Sequence, residues 1–349
     1  MFGPRLSPGH RVVTTLHDSA PMTAPETNLP DAYVPVAITE RSGFDESVHF
    51  GVVVALDTDG SIAFACGDSN VTIYPRSSNK PLQAVAMVRA GLQLPPDHLA
   101  LVCASHDGTA AHLAVARRIL AGADLDEQAL GNTPDLPLDQ HSAHEVIRHG
   151  GGRTSLQMNC SGKHSGMLAT CVLNGWAHDH SYLQVDHPLQ QRITATIADL
   201  TEGDVLHIGV DGCGAPAHVV PLVGVARAFR SIAMGNDGAA SNDVYLAMTH
   251  HPEMVGGEER DVTAFMRHVP GLMAKDGADG VFAAALPDGR AVAMKIADGA
   301  NRARPSVMVA ALERLGVDVS AVAPMVVQHL RGHGRIVGSV RAVLPEGRS

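Results

Sequence analysis

The chain has 349 residues, 45% of them apolar and 18% charged, which is enough to bury a large core in one or two domains. A formal net charge of −10 argues against nucleic-acid binding and against attraction to an anionic membrane surface. No apolar run reaches membrane-spanning length, and an odd count of five cysteines points to thiols or metal ligands rather than a disulfide framework.

Residues 1–32 are rich in Pro, Ser and Thr and lack the apolar segment of a signal peptide. They are expected to form a disordered tail, and the chain is expected to be cytoplasmic. Ordered structure is expected from about Tyr33. Residues 34–38 and 48–56 are β-branched and apolar, and Asp57-Thr58-Asp59-Gly60 is a turn signal before a return strand at 61–66. A helix carrying Ser77 and Lys80 follows. From there to about residue 270 the pattern is mostly helical, with candidates at 108–121, 163–174, 188–200, 221–234, 242–249 and 258–268. Short apolar stretches at 99–103 and 205–210 interrupt it and read as strands. Strands return at 281–286 and 290–296 around Pro287-Asp288-Gly289, then a helix at 306–315 and a last strand near 335–344.

This order predicts an α/β fold of the α+β kind. An antiparallel sheet is built from both chain ends (about 33–76 and 275–349), with a helical subdomain inserted between them (about 77–274). The layout is that of the serine β-lactamase/penicillin-binding-protein fold, by analogy.

Five segments carry chemistry. In Arg76-Ser77-Ser78-Asn79-Lys80, a serine and a lysine three residues apart share one face if the segment is helical, a known nucleophile–base spacing. The alternative is a capping serine beside a solvated lysine. Asn159-Cys160-Ser161-Gly162-Lys163-His164 crowds small, polar and nucleophilic residues before a helix. Asp211-Gly212-Cys213-Gly214 closes a strand with a glycine-rich turn. Cys160 and Cys213 are candidate zinc ligands, with Lys163 or His164 within local reach as a third, though no C-x-x-C spacing supports them. In Ser105-His106-Asp107, the first two residues are candidates to point into a site and Asp107 or Thr109 to cap the next helix. Lys275-Asp276-Gly277 parallels a Lys-x-Gly signature, against the plainer reading of a solvated turn lysine. Cys66, Cys103 and Cys171 lie in apolar runs and read as core thiols. His141, His144, His149, His178, His180 and His187 read as surface residues.

Taken together, the chain resembles the bacterial L-asparaginase II family of the rhizobial, zinc-binding type. The resembling segments are Arg41-Ser42-Gly43 with Glu46, Pro75 to Lys80 with Pro81, Gln83 and Ala84, Ser105-His106, Asn159 to His164, Asp211 to Gly214, and Lys295-Ile296 with Asp298-Gly299. They span about residues 34–345. The resemblance implies hydrolysis of L-asparagine to L-aspartate and ammonia by two Ser–Lys pairs, Ser77 with Lys80 and Ser105 with Lys275, Lys295 being the competitor for the last place. It implies zinc held by Cys160, Lys163 and Cys213, with His164 and Asp211 bordering the site and Arg76 a candidate for the substrate carboxylate. It further implies a homodimer. The rival readings are a glutaminase, β-lactamase or esterase on the same fold, and a non-catalytic zinc- or amino-acid-binding protein.

Overall fold

The computed structural model describes residues 29–344 except Asp237. The expected N-terminal tail lies, up to residue 28, outside the described residues, and its last four residues, Leu29–Ala32, form one helical turn. Three strands follow, β1 (Val34–Arg41), β2 (Phe44–Leu56) and β3 (Ile62–Cys66). The short strand β4 (Thr72–Ile73) pairs later in the chain with β5 (His207–Val210) and β6 (Pro216–Pro221) in a small sheet of order β4-β6-β5. The C-terminal third supplies β7 (Met273–Asp276), β8 (Val281–Ala285), β9 (Ala291–Ile296), β10 (His329–Gly332) and β11 (Arg335–Ala342).

The large sheet runs β10-β11-β1-β2-β9-β8-β7, with β3 on the far half of β2. Every pairing is antiparallel. Register Ala37↔Ala342 to Arg41↔Gly338 ties the first strand to the last, and Gly51↔Ile296 to Leu56↔Ala291 joins β2 to β9. Both chain ends therefore meet in one sheet. Strands β7 and β8 are buried at every position and β9 at all but one. Such strands have both faces covered, so they read as continuous apolar runs without alternation. Helix Leu222–Met234 packs on β2, β8 and β9, and helix Arg304–Arg314 on β1, β8, β9 and β11.

The middle of the chain is helical around one central element. Helix Lys80–Arg89 is buried from Lys80 through Met87 and contacts helices Ser161–Leu173, Pro188–Thr201 and Ala239–His250. A helix enclosed on all sides is apolar over most of its surface, as this one is apart from Lys80, Gln83 and the terminal Arg89. Three expectations are corrected here. The apolar run at 99–103 is not a strand; it belongs to helix Pro96–Val102, started by Pro at its first position and Asp97 in its first turn. Strand β6, unmarked in the sequence, forms the centre of the small sheet between two prolines. His187 is not a surface residue. It is buried, its Nδ1 accepting the Leu189 N–H at a helix start and its Nε2 bonding Ala177 O. Among the described residues, no helix is long and apolar enough to cross a membrane.

Candidate active site

The site begins at the turn Arg76–Asn79, a single 3-10 turn that runs straight into the helix starting at Lys80. Ser77 thus precedes the α-helix rather than lying in it, and its side chain is half-buried. Lys80 is 1% exposed. Its Nζ donates to Ala104 O at 2.5 Å and lies 3.1 Å from Ser105 Oγ. The structure therefore joins Lys80 to Ser105, twenty-five positions on, and shows no hydrogen bond from Lys80 to the Ser77 hydroxyl. Ser105 is buried after the helix Pro96–Val102, its N–H bonded to Val255 O.

Lys275 is fully buried, so the reading of a solvated turn lysine is wrong. It stands in β7, with Nζ 2.7 Å from Asp276 O and 2.6 Å from Asp276 Oδ1. It makes no hydrogen bond to Ser105, its implied partner. Ser78 Oγ donates to Lys275 O at 3.0 Å, which seats the Arg76–Asn79 turn on β7. Gly277 allows this contact: a Cβ there would stand 2.6 Å from Pro75 O. Burial pushes the Lys275 ammonium down to about 8 against the pull of Asp276, and the Lys80 charge adds to the fall. The competitor, Lys295, is only partly buried and donates to Asp279 O.

A second cluster adjoins the first. Cys160 and Lys163 enter from the start of helix Ser161–Leu173, and Cys213 from the turn after β5. Gly162 and Gly166 let that helix close on Pro96–Val102, since a Cβ at Gly162 would stand 2.4 Å from Leu101 O and one at Gly166 2.7 Å from Val102 Cγ2. Lys163 is 2% exposed and its Nζ lies 3.2 Å from Cys213 Sγ. Both cysteines are buried and pack with Ala215, Met158 and Leu183. The Cys213 thiol is held well below its usual range by Cys160, against burial, with help from Lys163 and His164. Burial alone would lower Lys163, but Cys213, Cys160 and Asp211 together hold it raised. His164 is fully buried beside Cys213. Its Nδ1 meets Tyr182 OH at 2.6 Å, and its Nε2, which approaches Cys213, is buried without a well-formed hydrogen bond.

Among the described residues, no three His, Cys, Asp or Glu side chains gather as a metal cage. A metal here depends on Lys163 as a third donor. Two sulfurs and the Lys163 nitrogen, once it gives up its proton, are donor types that a zinc ion takes.

Arg76 links the two clusters. Its Nε donates to Asp211 Oδ1 at 2.9 Å and its guanidinium also pairs with Asp279. Arg76 has φ of 53°, a left-handed backbone that costs a non-glycine residue about 1 kcal/mol and is found at functional sites. Asp211 starts the turn that ends in Cys213. Four groups were missed in the sequence reading: Asp276, Asp279, Tyr182 and Arg260, which bonds Asp276. Asp276 alone carried a local signal, as the neighbour of Lys275. Asp107 caps no helix; it bonds Arg260, and Thr109 occupies the N-cap position without a side-chain cap bond. His106 is buried, its Nδ1 accepting the Gly108 N–H and its Nε2 bonding Ser161 Oγ at 2.9 Å, so it braces the start of the Cys160 helix.

No curated protein sequence is significantly similar to the chain. Among solved structures, a protein titled Mglu in its L-glutamate binding form is 14% identical, with a TM-score of 0.35 over 77% of this chain and 60% of its own. The probable glutaminase ybaS is 17% identical, TM-score 0.35, covering 77% and 86% of the two chains. A Bacillus glutaminase is 12% identical, TM-score 0.35, covering 77% and 92%. The alignment spans 60% and 65% of the first two Mglu structures' own lengths. Likenesses this distant assign no substrate. The family model described as L-asparaginase II matches residues 37–342, nearly the whole described chain, so the chain belongs to the L-asparaginase II family.

Proposed function

We propose that the chain hydrolyses L-asparagine to L-aspartate and ammonia through a covalent aspartyl-enzyme. The observation that carries this reading is the burial of Lys80 against Ser105, with buried Lys275 close to Lys80 and the half-exposed Ser77 beside them, in a chain of the L-asparaginase II family. Burying two lysines is costly, and groups so perturbed cluster at functional sites. The Ser77-x-x-Lys80, Ser105 and Lys275-x-Gly277 set, on an antiparallel sheet drawn from both chain ends, supports a serine β-lactamase-like reading of the fold.

Ser77 is the nucleophile. Its Oγ attacks the side-chain amide carbon of asparagine, and its proton passes to the Lys80 amine, which Ser105 and Ala104 hold in place. A lysine serves as a base only without its extra proton; burial, with the Lys80 charge adding to it, presses Lys275 toward that neutral form and makes it part of the base. The proton then leaves with ammonia. Water hydrolyses the aspartyl ester with the same amine as base. The Ser77 N–H, at the open end of its turn, is the candidate oxyanion donor. Arg76 and Asp211 offer opposite charges to an α-carboxylate and an α-ammonium.

Cys160, Lys163 and Cys213 would hold one zinc ion, with His164 against it. Zinc there would supply a Lewis-acidic point that orients the substrate's polar groups. A cytoplasmic homodimer completes the reading, supported by the family resemblance; light scattering of the purified protein tests the dimer.

Ammonia release from asparagine, glutamine and an ester substrate tests the substrate. Asparagine preferred over glutamine agrees with the proposal. Glutamine preferred would make the protein a glutaminase. One methylene of substrate length is worth about 1–3 kcal/mol, so a clear preference is measurable. Binding of asparagine without turnover would make it a binding protein.

A further inference from the structure

Arg260 lies outside every motif of the sequence, yet it joins the two segments that bring Ser105 and Lys275 into the site. One of its terminal nitrogens donates to Asp107 Oδ1 at 3.1 Å and the other to Asp276 Oδ2 at 2.7 Å. Asp107 lies two residues after Ser105, and Asp276 directly after Lys275. The surrounding backbone is built to hold Asp107 there. Ser105 N–H bonds Val255 O and Asp107 N–H bonds Gly256 O, so residues 105–107 lie along 255–256. Gly257 has φ of 156°, and a Cβ on it would stand 1.9 Å from Asp107 Oδ2. No larger residue fits there without expelling the carboxylate.

The other oxygen of Asp276 holds the Lys275 ammonium at 2.6 Å. Asp276 is thus shared: Lys275 on Oδ1, Arg260 on Oδ2, and Arg304 3.6 Å from Oδ2. Arg304 is itself anchored by Asp261 at 2.8 Å and by Gly277 O at 3.3 Å. We propose that Arg260 is a positioning residue, which clamps the Ser105 and Lys275 segments together and, by sharing the Asp276 carboxylate, weakens that carboxylate's hold on the Lys275 ammonium. This rests on the reading of Lys275 as part of the catalytic base.

The charges facing Lys275 are Asp276, Lys80 and Arg260, and the buried Cys103 thiol beside it is pushed up to about 12 and stays neutral. The charged and titratable groups around Asp107 are Arg260, His112 and Asp139. Burial keeps His112 lowered, so it adds no cation at neutral pH. The signs follow. Without Arg260, Asp276 is shared with Arg304 alone, and its hold on the Lys275 ammonium tightens. Without the Asp107 charge, Arg260 leans wholly on Asp276 and the ammonium is held less tightly.

The test is the pH profile of kcat/KM for wild type, Arg260→Gln, Arg260→Lys, Asp107→Asn and Lys275→Met, with circular dichroism of each. Arg260→Gln is expected to lower kcat more than it raises KM, and to move the acid limb to higher pH by on the order of one unit. Arg260→Lys, which restores the charge but cannot span both carboxylates, is expected to move the limb part of the way back. Asp107→Asn, nearly isosteric, is expected to move the limb to lower pH. Limbs that stay put, or that move the same way in Arg260→Gln and Asp107→Asn, overturn the clamp and leave the proposed function standing. A fully active Lys275→Met overturns the reading beneath it as well. If Arg260→Gln does not fold, Asp107→Asn decides alone, an unmoved limb being the contrary result.

Discussion

Lys163 and Lys275 are equally buried and behave in opposite ways. Burial presses both ammonium groups toward losing a proton. At Lys163 the Cys213 and Cys160 sulfurs, with Asp211, more than offset that pressure, and the group is held raised. At Lys275 the one adjacent carboxylate is divided among Lys275, Arg260 and Arg304, and Lys80 adds repulsion, so the group falls to about 8. Burial alone therefore does not make a lysine a base. What decides is whether its counter-charge is exclusive or shared. The carboxylate side suits proton transfer; on the sulfur side Lys163 could ligate only as the neutral amine, so a bound metal would have to displace its proton.

If that division is right, substitutions on the two sides should fail differently. The largest effect is expected from Ser77→Ala, with kcat reduced by roughly 10³-fold or more and KM little changed. Steady-state ammonia release measures it; a residual rate near wild type would remove Ser77 from the nucleophile's role. Next is Lys275→Met, expected to lower kcat by about 10²–10⁴-fold and yet to raise Tm at pH 7. The sign follows from linkage. The folded chain releases this proton at about 8 and the unfolded chain at the ordinary 10.5, so the unfolded state binds more protons between those values. The wild-type penalty is complete below about 8 and vanishes as pH rises through 10.5. The variant's Tm advantage should shrink over that window, and an advantage that grows with pH would refute the account. On the sulfur side, Cys213→Ser is expected to abolish zinc retention and to raise KM by about tenfold while kcat falls less. Metal analysis with paired kcat and KM measurements checks it, and a collapse of kcat at unchanged KM would place the metal in the chemical step. The smallest effect is on stability alone. Gly162→Ala should cost about 1–3 kcal/mol by thermal or denaturant unfolding, because a Cβ there meets the Leu101 carbonyl.

Local signals served where the chemistry is local. Residues β-branched at both chain ends mark the sheet, and Lys80 stands out by its three-residue spacing from Ser77 before an apolar run. The residues alone mark Cys160 and Cys213 with Lys163 or His164, the resemblance selects Lys163, and the fold brings Lys163 and Cys213 together across fifty positions. Partnerships set by tertiary packing had no such signal. Lys80 turns to Ser105, and Arg260 reaches Asp107 across 153 positions, by geometry that no spacing encodes. The contact of His164 with Tyr182, eighteen positions on, likewise has no local signal. The strand β6 lies between prolines and the run at 99–103 is too short to tell strand from helix by periodicity.

The most direct test of the division of labour is the mass of the enzyme itself, quenched during asparagine turnover. Intact-mass spectrometry of wild type should show the mass of one aspartyl group added, with peptide mapping placing it on Ser77. The adduct should be absent from Ser77→Ala and present, though slower to form, in Cys213→Ser. An adduct that persists in Ser77→Ala and disappears in Ser105→Ala would contradict the account and make the Lys80–Ser105 pair the nucleophilic centre.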